Sequence, residues 1–142
     1  MAFAPMTGPY AQIPATFARL YGWIASRGLE PTGAPTGVYL SDPAEGEARA
    51  RWELQAPLAG NPADAAPDAS GCGIKRIAAR MVASTVHRGP YDQVAAAHGA
   101  LAAWAKANGF VIAGPPEERY LSEPGTPPEG TVTEVRLPVA RG

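Results

Sequence analysis

The stretch GPYAQIPATFARLYGWIASRGL, residues 8–29, returns in altered form as GPYDQVAAAHGALAAWAKANGF, residues 89–110. When the chain is compared with itself at an offset of 81 positions, GPY falls on GPY, and the tryptophan and the closing glycine fall on their counterparts. Further along, the YLSxP box at residues 39–43 falls on the same box at residues 120–124. These matches keep their order without a gap, so they indicate an internal duplication, which decides the architecture before any other feature.

Each copy predicts the same order of elements. A short strand, MAFAPMT or RMVASTVHR, leads into the GPY turn and then into a helix with apolar residues at helical spacing. The helices are predicted to end at Gly28 and Gly109, since glycine favours the left-handed conformation that follows many helices. A Pro/Gly turn, a strand around GVYLS or ERYLS, and a last strand in ARARWELQAPL or GTVTEVRLPV complete the copy.

The predicted fold class is α+β, with two pseudo-symmetric β-α-β-β repeats forming one antiparallel sheet. Because one copy can bury only the sheet face that its helix covers, we expect both helices on one face and a ligand cleft on the other. Residues 1–142 are predicted to form a single domain: repeat one at 1–61, a linker at 62–73, and an extra strand with repeat two at 74–142. Trp23 and Trp104 are predicted to be core residues between helix and sheet.

Composition excludes several classes of protein. The net charge is −1 and no basic block is present, which argues against direct nucleic-acid binding. The single cysteine, Cys72, cannot form an internal disulfide and has no neighbours at metal-ligand spacing, so neither a metal nor a cofactor is predicted. The sequence has no long apolar run for a membrane span and no signal peptide, and we expect a cytoplasmic protein.

Strand alternation assigns side chains to the two faces of the predicted sheet. Trp52 and Leu54 in the first copy, with Thr133, Val135 and Leu137 in the second, are expected under the helices. The side chains expected on the open face are those of Gly37, Tyr39, Glu53, Gln55, Glu118, Tyr120, Glu134 and Arg136. Aromatic rings and a few carboxylates suit a flat organic ligand that is apolar or cationic.

Positions at which the two copies differ add detail to the predicted cleft. Gly37 is replaced by Glu118 in the second copy, which leaves room on one wall of the expected cleft and puts charge on the other. Phe17 is replaced by His98, and Gln55 by Arg136. A cleft of this kind suits an asymmetric ligand.

Structural roles for the same residues stay open. Glu134 also suits a strand position paired with Arg136 or Lys75, and Glu118 also suits the surface. Tyr39 and Tyr120 also suit packing at strand ends. His98 occupies the helix position of a phenylalanine, which favours partial burial over catalysis.

The doubled GPY…W…G pattern, the EERYLSEP box at residues 117–124 and the closing TEVRLPV resemble the gyrase-inhibitor-like small-molecule-binding domains. Domains of this family also serve as effector-binding domains of AraC-type and MerR-type bacterial regulators. The resemblance implies two modules with a ligand cleft and, in multidrug-sensing members, an acid that attracts cationic drugs. Here that acid is Glu118, and Glu134 matches a second one, with Arg136 in place of an aromatic residue.

The resemblance leaves three functions open. The first is a sensor or sequestering module for a small hydrophobic, aromatic or cationic drug or toxin, linked to transcription regulation. The second is a hydrolase of cyclopropane-bearing toxins, with Glu118 as base and Tyr120 as proton donor. The third is an inhibitor that binds gyrase, for which the near-zero net charge supplies no DNA-like acidic surface.

Overall fold

A computed structural model describes residues 1–41, 46–90, 93–122 and 126–142. The backbone divides into two compact units, Met1–Ala78 and Ala79–Gly142. Three residues of the repeat pattern, Pro43, Tyr91 and Pro124, lie outside the described residues.

Each unit is built from one helix and short antiparallel strands. Neither helix in the described ranges has the length and apolar character that crossing a bilayer requires. The first unit contains β1 (Ala2–Thr7), α1 (Ile13–Ser26), β2 (Thr36–Tyr39), β3 (Arg51–Ala56) and β4 (Gly73–Ile74). The second contains β5 (Val82–Arg88), α2 (Ala95–Ala107), β6 (Phe110–Ile112), β7 (Glu117–Tyr120) and β8 (Val132–Arg141).

In the first unit, β1 pairs with both β3 and β4, and β2 pairs with the other edge of β3. The helix α1 lies against β1 and β3 and buries Leu20 and Ile24. These side chains meet Trp52 and Leu54 in one core cluster, to which the cysteine Cys72 also belongs. Alternation along β3 therefore places Trp52 and Leu54 on the helix side, as predicted.

In the second unit, β8 is the central strand and pairs with β5, β6 and β7. The helix α2 lies against β5, β6 and β8, and its Leu101 packs with Val135 and Leu137 in a separate core cluster. Thr133 is also fully buried. The predicted helix-side row of β8 is thus confirmed.

The α+β class is confirmed, and both units follow the predicted β-α-β-β order. Gly28 and Gly109 have positive φ angles of 68° and 79° just after the helices, as expected for left-handed helix ends. The sequence did not predict β6, which pairs with the end of β8. Its counterpart in the first unit is a single bridge between Pro31 and Leu58.

The two equivalent tryptophans differ in their environment. Trp23 is 7% exposed, whereas Trp104 is 51% exposed, so the prediction that both are core residues is wrong for Trp104. The physical reason is the linker, which supplies Asp68 to Trp23. The Trp23 indole Nε1 donates a hydrogen bond of 2.8 Å to Asp68 Oδ2, and Arg27 pairs with the same oxygen at 2.9 Å.

Asp68 anchors this linker to α1. Hydrogen bonds from the Ser70 hydroxyl, the Trp23 indole and the Ser70 backbone lower the pKa of Asp68 far below its usual 3.8. A carboxyl group whose pKa is lower in the folded state stabilises the fold above its usual pKa, and this stabilisation disappears as the pH falls toward the lowered value.

We expect Asp68→Asn to remove part of the acid sensitivity of folding. In the native chain, the free energy of unfolding should fall below about pH 4, where Asp68 becomes protonated in the unfolded state. The variant should be less stable at pH 7 and approach the native chain toward pH 2. Thermal unfolding of both proteins from pH 2 to pH 7 measures this difference, and parallel curves over the whole range would contradict it.

Candidate functional site

The register of β7 determines where the predicted acid lies. Glu118 pairs with Val135, and Tyr120 pairs with Thr133. Directly paired residues of an antiparallel sheet share a face, so Glu118 and Tyr120 lie on the helix side of the second unit. The prediction that they lie on the face opposite the helix, with Glu134 and Arg136, is wrong.

The same correction applies to β2 in the first unit. Gly37 pairs with Leu54 and Tyr39 pairs with Trp52, so both lie on the helix side rather than on the opposite face. The Tyr39 ring contacts the Tyr10 ring edge-on, with the ring centroids 5.5 Å apart. Tyr39 therefore belongs to an aromatic group that packs against the core of the first unit.

Four polar side chains gather on the helix side of the second unit, and we call them the Glu118 cluster: His98, Glu118, Tyr120 and Thr133. His98 projects from α2 and its Nε2 donates a hydrogen bond of 2.7 Å to Glu118 Oε2. The Tyr120 hydroxyl lies 3.4 Å from the other carboxylate oxygen, Oε1. Only 7% of Glu118 is exposed, so its charge is held beside the apolar core residue Val135 rather than in water.

Thr133 adds a buried hydroxyl to this cluster. Its side chain is fully buried, and within the described ranges its Oγ1 has no hydrogen-bond partner. A buried polar atom without a partner costs about 1–3 kcal/mol. Such atoms are few in native proteins, so the Thr133 hydroxyl is a candidate for contact with a bound molecule.

The repeat shows that two members of the cluster changed together. The first unit has Phe17 and Gly37 where the second has His98 and Glu118. Sequence reasoning noted each difference separately but missed that the two side chains of the second unit are in contact. The sequence did contain an indication of this contact. At two positions the second copy has a base and an acid, His98 and Glu118, where the first copy has uncharged residues, and a base and an acid introduced together suggest a pair.

The opposite face of the second unit holds a separate group of charges. Glu117 is fully buried and accepts a hydrogen bond of 2.9 Å from Arg80, with Arg136 Nε at 3.9 Å. Glu134 pairs with Arg119 at 3.5 Å. The predicted site residues Glu134 and Arg136 are thus not brought to Glu118, and Arg136 is directed to Glu117, which the prediction left out.

Glu53 has a partner in the first unit as well. It lies opposite the helix, accepts a hydrogen bond of 2.8 Å from Lys75 and another of 2.6 Å from Gln55. The Lys75 ammonium group also lies 4.4 Å from the centre of the Phe3 ring. The ion pair compensates the charge of Glu53. It also links the residue that follows β4 to β3.

The first unit also has an open groove of about 290 Å³. It is lined by Pro5, Met6, Thr7, Leu40, Arg51 and Trp52. None of these residues carries a carboxylate, so the groove offers no acid to a cationic ligand. The Glu118 cluster is the better candidate site, since it offers an acid, a base, a phenol and a hydroxyl on one face.

We expect the hydrogen bond between His98 and Glu118 to contribute to the stability of the fold. We expect His98→Phe and Glu118→Gln each to lower the free energy of unfolding, while the double variant loses less than the sum. Contacting polar pairs show coupling of about 0.5–3 kcal/mol in such cycles. Chemical denaturation of the four proteins gives the coupling energy, and additive losses would show that the two side chains act independently.

The duplicated fold and the buried acid beneath a helix define a small-molecule-binding domain of the α+β class. The family model of the GyrI-like small molecule binding domain matches residues 59–140 of the 142 in the chain. The chain therefore belongs to the GyrI-like small molecule binding domain family.

Solved structures share the fold over nearly the whole chain. The C-terminal domain of EcmrR is 19% identical, with a TM-score of 0.83, and the match covers 99% of this chain and 90% of that domain. EcmrR in complex with DNA is 18% identical, with a TM-score of 0.81 over 99% of this chain. This chain spans about half, 53%, of that EcmrR chain.

A hydrolase from Listeria innocua has the same fold at a lower TM-score of 0.64 and 17% identity, with coverage of 99% of this chain and 87% of that one. These identities support a common fold and carry no further information on the site. A comparison with curated proteins gave no match.

Proposed function

We propose that this chain binds a small organic molecule carrying a positive charge or a strong hydrogen-bond donor, and that Glu118 accepts that group. One observation carries the proposal: a carboxylate with 7% exposure lies on the helix side of the sheet, where the other repeat has Gly37. The equivalent position in the first unit carries no charge, which favours a role in ligand binding for the charge at position 118.

Energetics favour a binding role for this acid. A carboxylate taken out of water costs several kcal/mol unless a partner compensates. His98 supplies one such partner, and a ligand cation would offer a stronger one. The Tyr120 ring beside the carboxylate adds a surface that attracts cations, and the Thr133 hydroxyl offers a further hydrogen bond to a polar ligand atom.

The other residues predicted to bind the ligand fall into two groups, according to their contacts and their face of the sheet. Glu53, Glu134 and Arg136 are engaged in ion pairs, which favours structural roles for them. Gly37 and Tyr39 lie on the helix side of the first unit, the same kind of position that Glu118 and Tyr120 have in the second.

We propose a sensing or sequestering role in the cytoplasm. The likeness to the EcmrR C-terminal domain supports sensing, since EcmrR itself is a larger protein that forms a complex with DNA. Within a larger regulator, a domain of this kind would change the state of the regulator when it binds the compound. A domain that acts alone would instead lower the free concentration of the compound.

The main prediction concerns charge. We compare a biphenylmethyl-trimethylammonium ion with its neutral isostere, in which carbon replaces the charged nitrogen. Glu118→Gln should weaken binding of the cation about tenfold or more, equivalent to about 1.4 kcal/mol, and change binding of the isostere little. Calorimetric titration of both ligands measures the two effects.

Two further variants make this test specific. Glu129→Gln removes an exposed acid of the same unit and should leave both affinities unchanged. His98→Phe should strengthen binding of the cation, because the ligand no longer displaces the imidazole from Glu118. Equal losses for the cation and its isostere in Glu118→Gln would contradict a charge-based role.

A hydrolase is the second candidate, and the 2.7 Å contact between His98 and Glu118 favours it. In this proposal the carboxylate–imidazole pair activates water, and the Tyr120 hydroxyl, 3.4 Å from Glu118 Oε1, would donate the proton. Water would attack a cyclopropane carbon, the ring bond would break, and the released carbon would take up a proton. The fold shared with a Listeria innocua hydrolase is compatible with this chemistry.

Incubation with a cyclopropane-bearing alkylator separates the two functions. Catalysis predicts a ring-opened, hydrated product that accumulates over many turnovers and is lost in both Glu118→Ala and His98→Phe. Binding alone predicts recovery of the intact compound at a stoichiometric ratio. Mass spectrometry of the products distinguishes these results, and intact compound with the native chain would eliminate the hydrolase.

A further inference from the structure

The two tryptophans at equivalent helix positions show one covered surface and one exposed surface. Trp23 is covered by residues of the linker, and its exposure is 7%. Trp104 is 51% exposed and stacks on Phe110, with ring centroids 5.7 Å apart and planes 16° apart. Ile112, on the same strand as Phe110, is 63% exposed. We call Trp104, Phe110, Ile112 and Arg141 the Trp104 surface.

The first unit shows which chemistry covers a surface of this kind. The covering segment presents Asp68, which accepts hydrogen bonds from the Trp23 indole and from Arg27. The Arg27 guanidinium in turn lies 4.8 Å from the centre of the Trp23 ring. An indole donor and a guanidinium therefore hold one carboxylate, and the apolar part of the linker follows it with the buried Cys72.

The second unit has the same two groups from a different position in the chain. Arg27 is replaced by Asn108 in the repeat, but the Arg141 guanidinium lies 5.6 Å from the centre of the Phe110 ring. Phe110 stacks on Trp104, so both the guanidinium and the indole contact the Phe110 ring. In the first unit the guanidinium lies over the indole itself. Within the described ranges, no carboxylate pairs with Arg141 and no acceptor bonds to the Trp104 indole N–H.

We infer that the Trp104 surface binds an acidic peptide segment from a partner protein, with one carboxylate held between the Trp104 indole N–H and the Arg141 guanidinium. The segment has the character of linker residues 65–72, Ala-Ala-Pro-Asp-Ala-Ser-Gly-Cys, in which a proline and a tight turn present the aspartate. Positive charge at Arg141 and apolar area at Ile112 select an aspartate or glutamate flanked by small apolar residues. This surface lies apart from the Glu118 cluster in residues and in chemistry.

The test uses the full chain and a synthetic peptide of residues 62–74 with Cys72→Ser, titrated while the indole ¹H–¹⁵N resonances of Trp23, Trp52 and Trp104 are recorded. The proposal predicts a saturable shift of the Trp104 resonance alone. Since the linker reaches Trp23 with the advantage of being tethered, the free peptide should bind with a Kd of about 1 mM. A peptide with Asp68→Asn should bind about tenfold more weakly.

Variants of the chain complete the test. Trp104→Phe keeps the aromatic area but removes the N–H donor, and Arg141→Gln removes the cation. Each should weaken binding about fivefold or more, whereas Arg88→Gln, which removes an exposed arginine of β5, should not change it. Trp104→Phe is monitored through the amide resonances of Phe110 and Ile112.

Three results would overturn the proposal. The first is no shift up to about 5 mM peptide, well above the effective concentration of a short tether. The second is equal binding of the native and Asp68→Asn peptides. The third is a Trp104 shift that depends on protein concentration without peptide, which would identify a second copy of this chain as the occupant.

Discussion

Strand register controls which side chains each unit turns toward its helix. Because side chains alternate along a strand, the pairing of Tyr120 with Thr133 sends Glu118 to the helix side and Glu117 to the other. A shift by one residue would exchange the two acids and bury Arg119 against Val135. The core on one side and the ion pairs on the other therefore stabilise the same register, and the position of Glu118 depends on both.

Much of the fold was accessible from the sequence, and the physical reason is the repeat. Trp52, Leu54, Val135 and Leu137 alternate with polar residues, so their side of the sheet was predicted correctly. The short strands β2 and β7 gave no such pattern, since Thr36, Gly37, Val38, Glu117 and Glu118 are all buried. A strand of four residues that is buried on both faces has no polarity contrast, and assigning its faces requires the register of its neighbour.

Where the two repeats differ, residues that contact each other differ together. Thr36 pairs with Gln55 across the first unit, and the equivalent pair in the second is Glu117 with Arg136. A neutral polar pair has thus become an ion pair, and Arg80 adds a second cation to the buried carboxylate. Losing both cations would leave the fully buried Glu117 without compensation, which costs far more than the pairs contribute, so Arg80 and Arg136 share this role.

The same logic separates two kinds of acid in this chain. Glu53, Glu117 and Glu134 each meet a lysine or arginine, whose charge is permanent at neutral pH, and such pairs hold strands together. Glu118 instead contacts the imidazole of His98, on the face where an apolar core would be expected. Among these four acids, Glu118 is thus the one whose described ion-pair partner is a histidine rather than a lysine or arginine, and the proposed binding role rests on that difference.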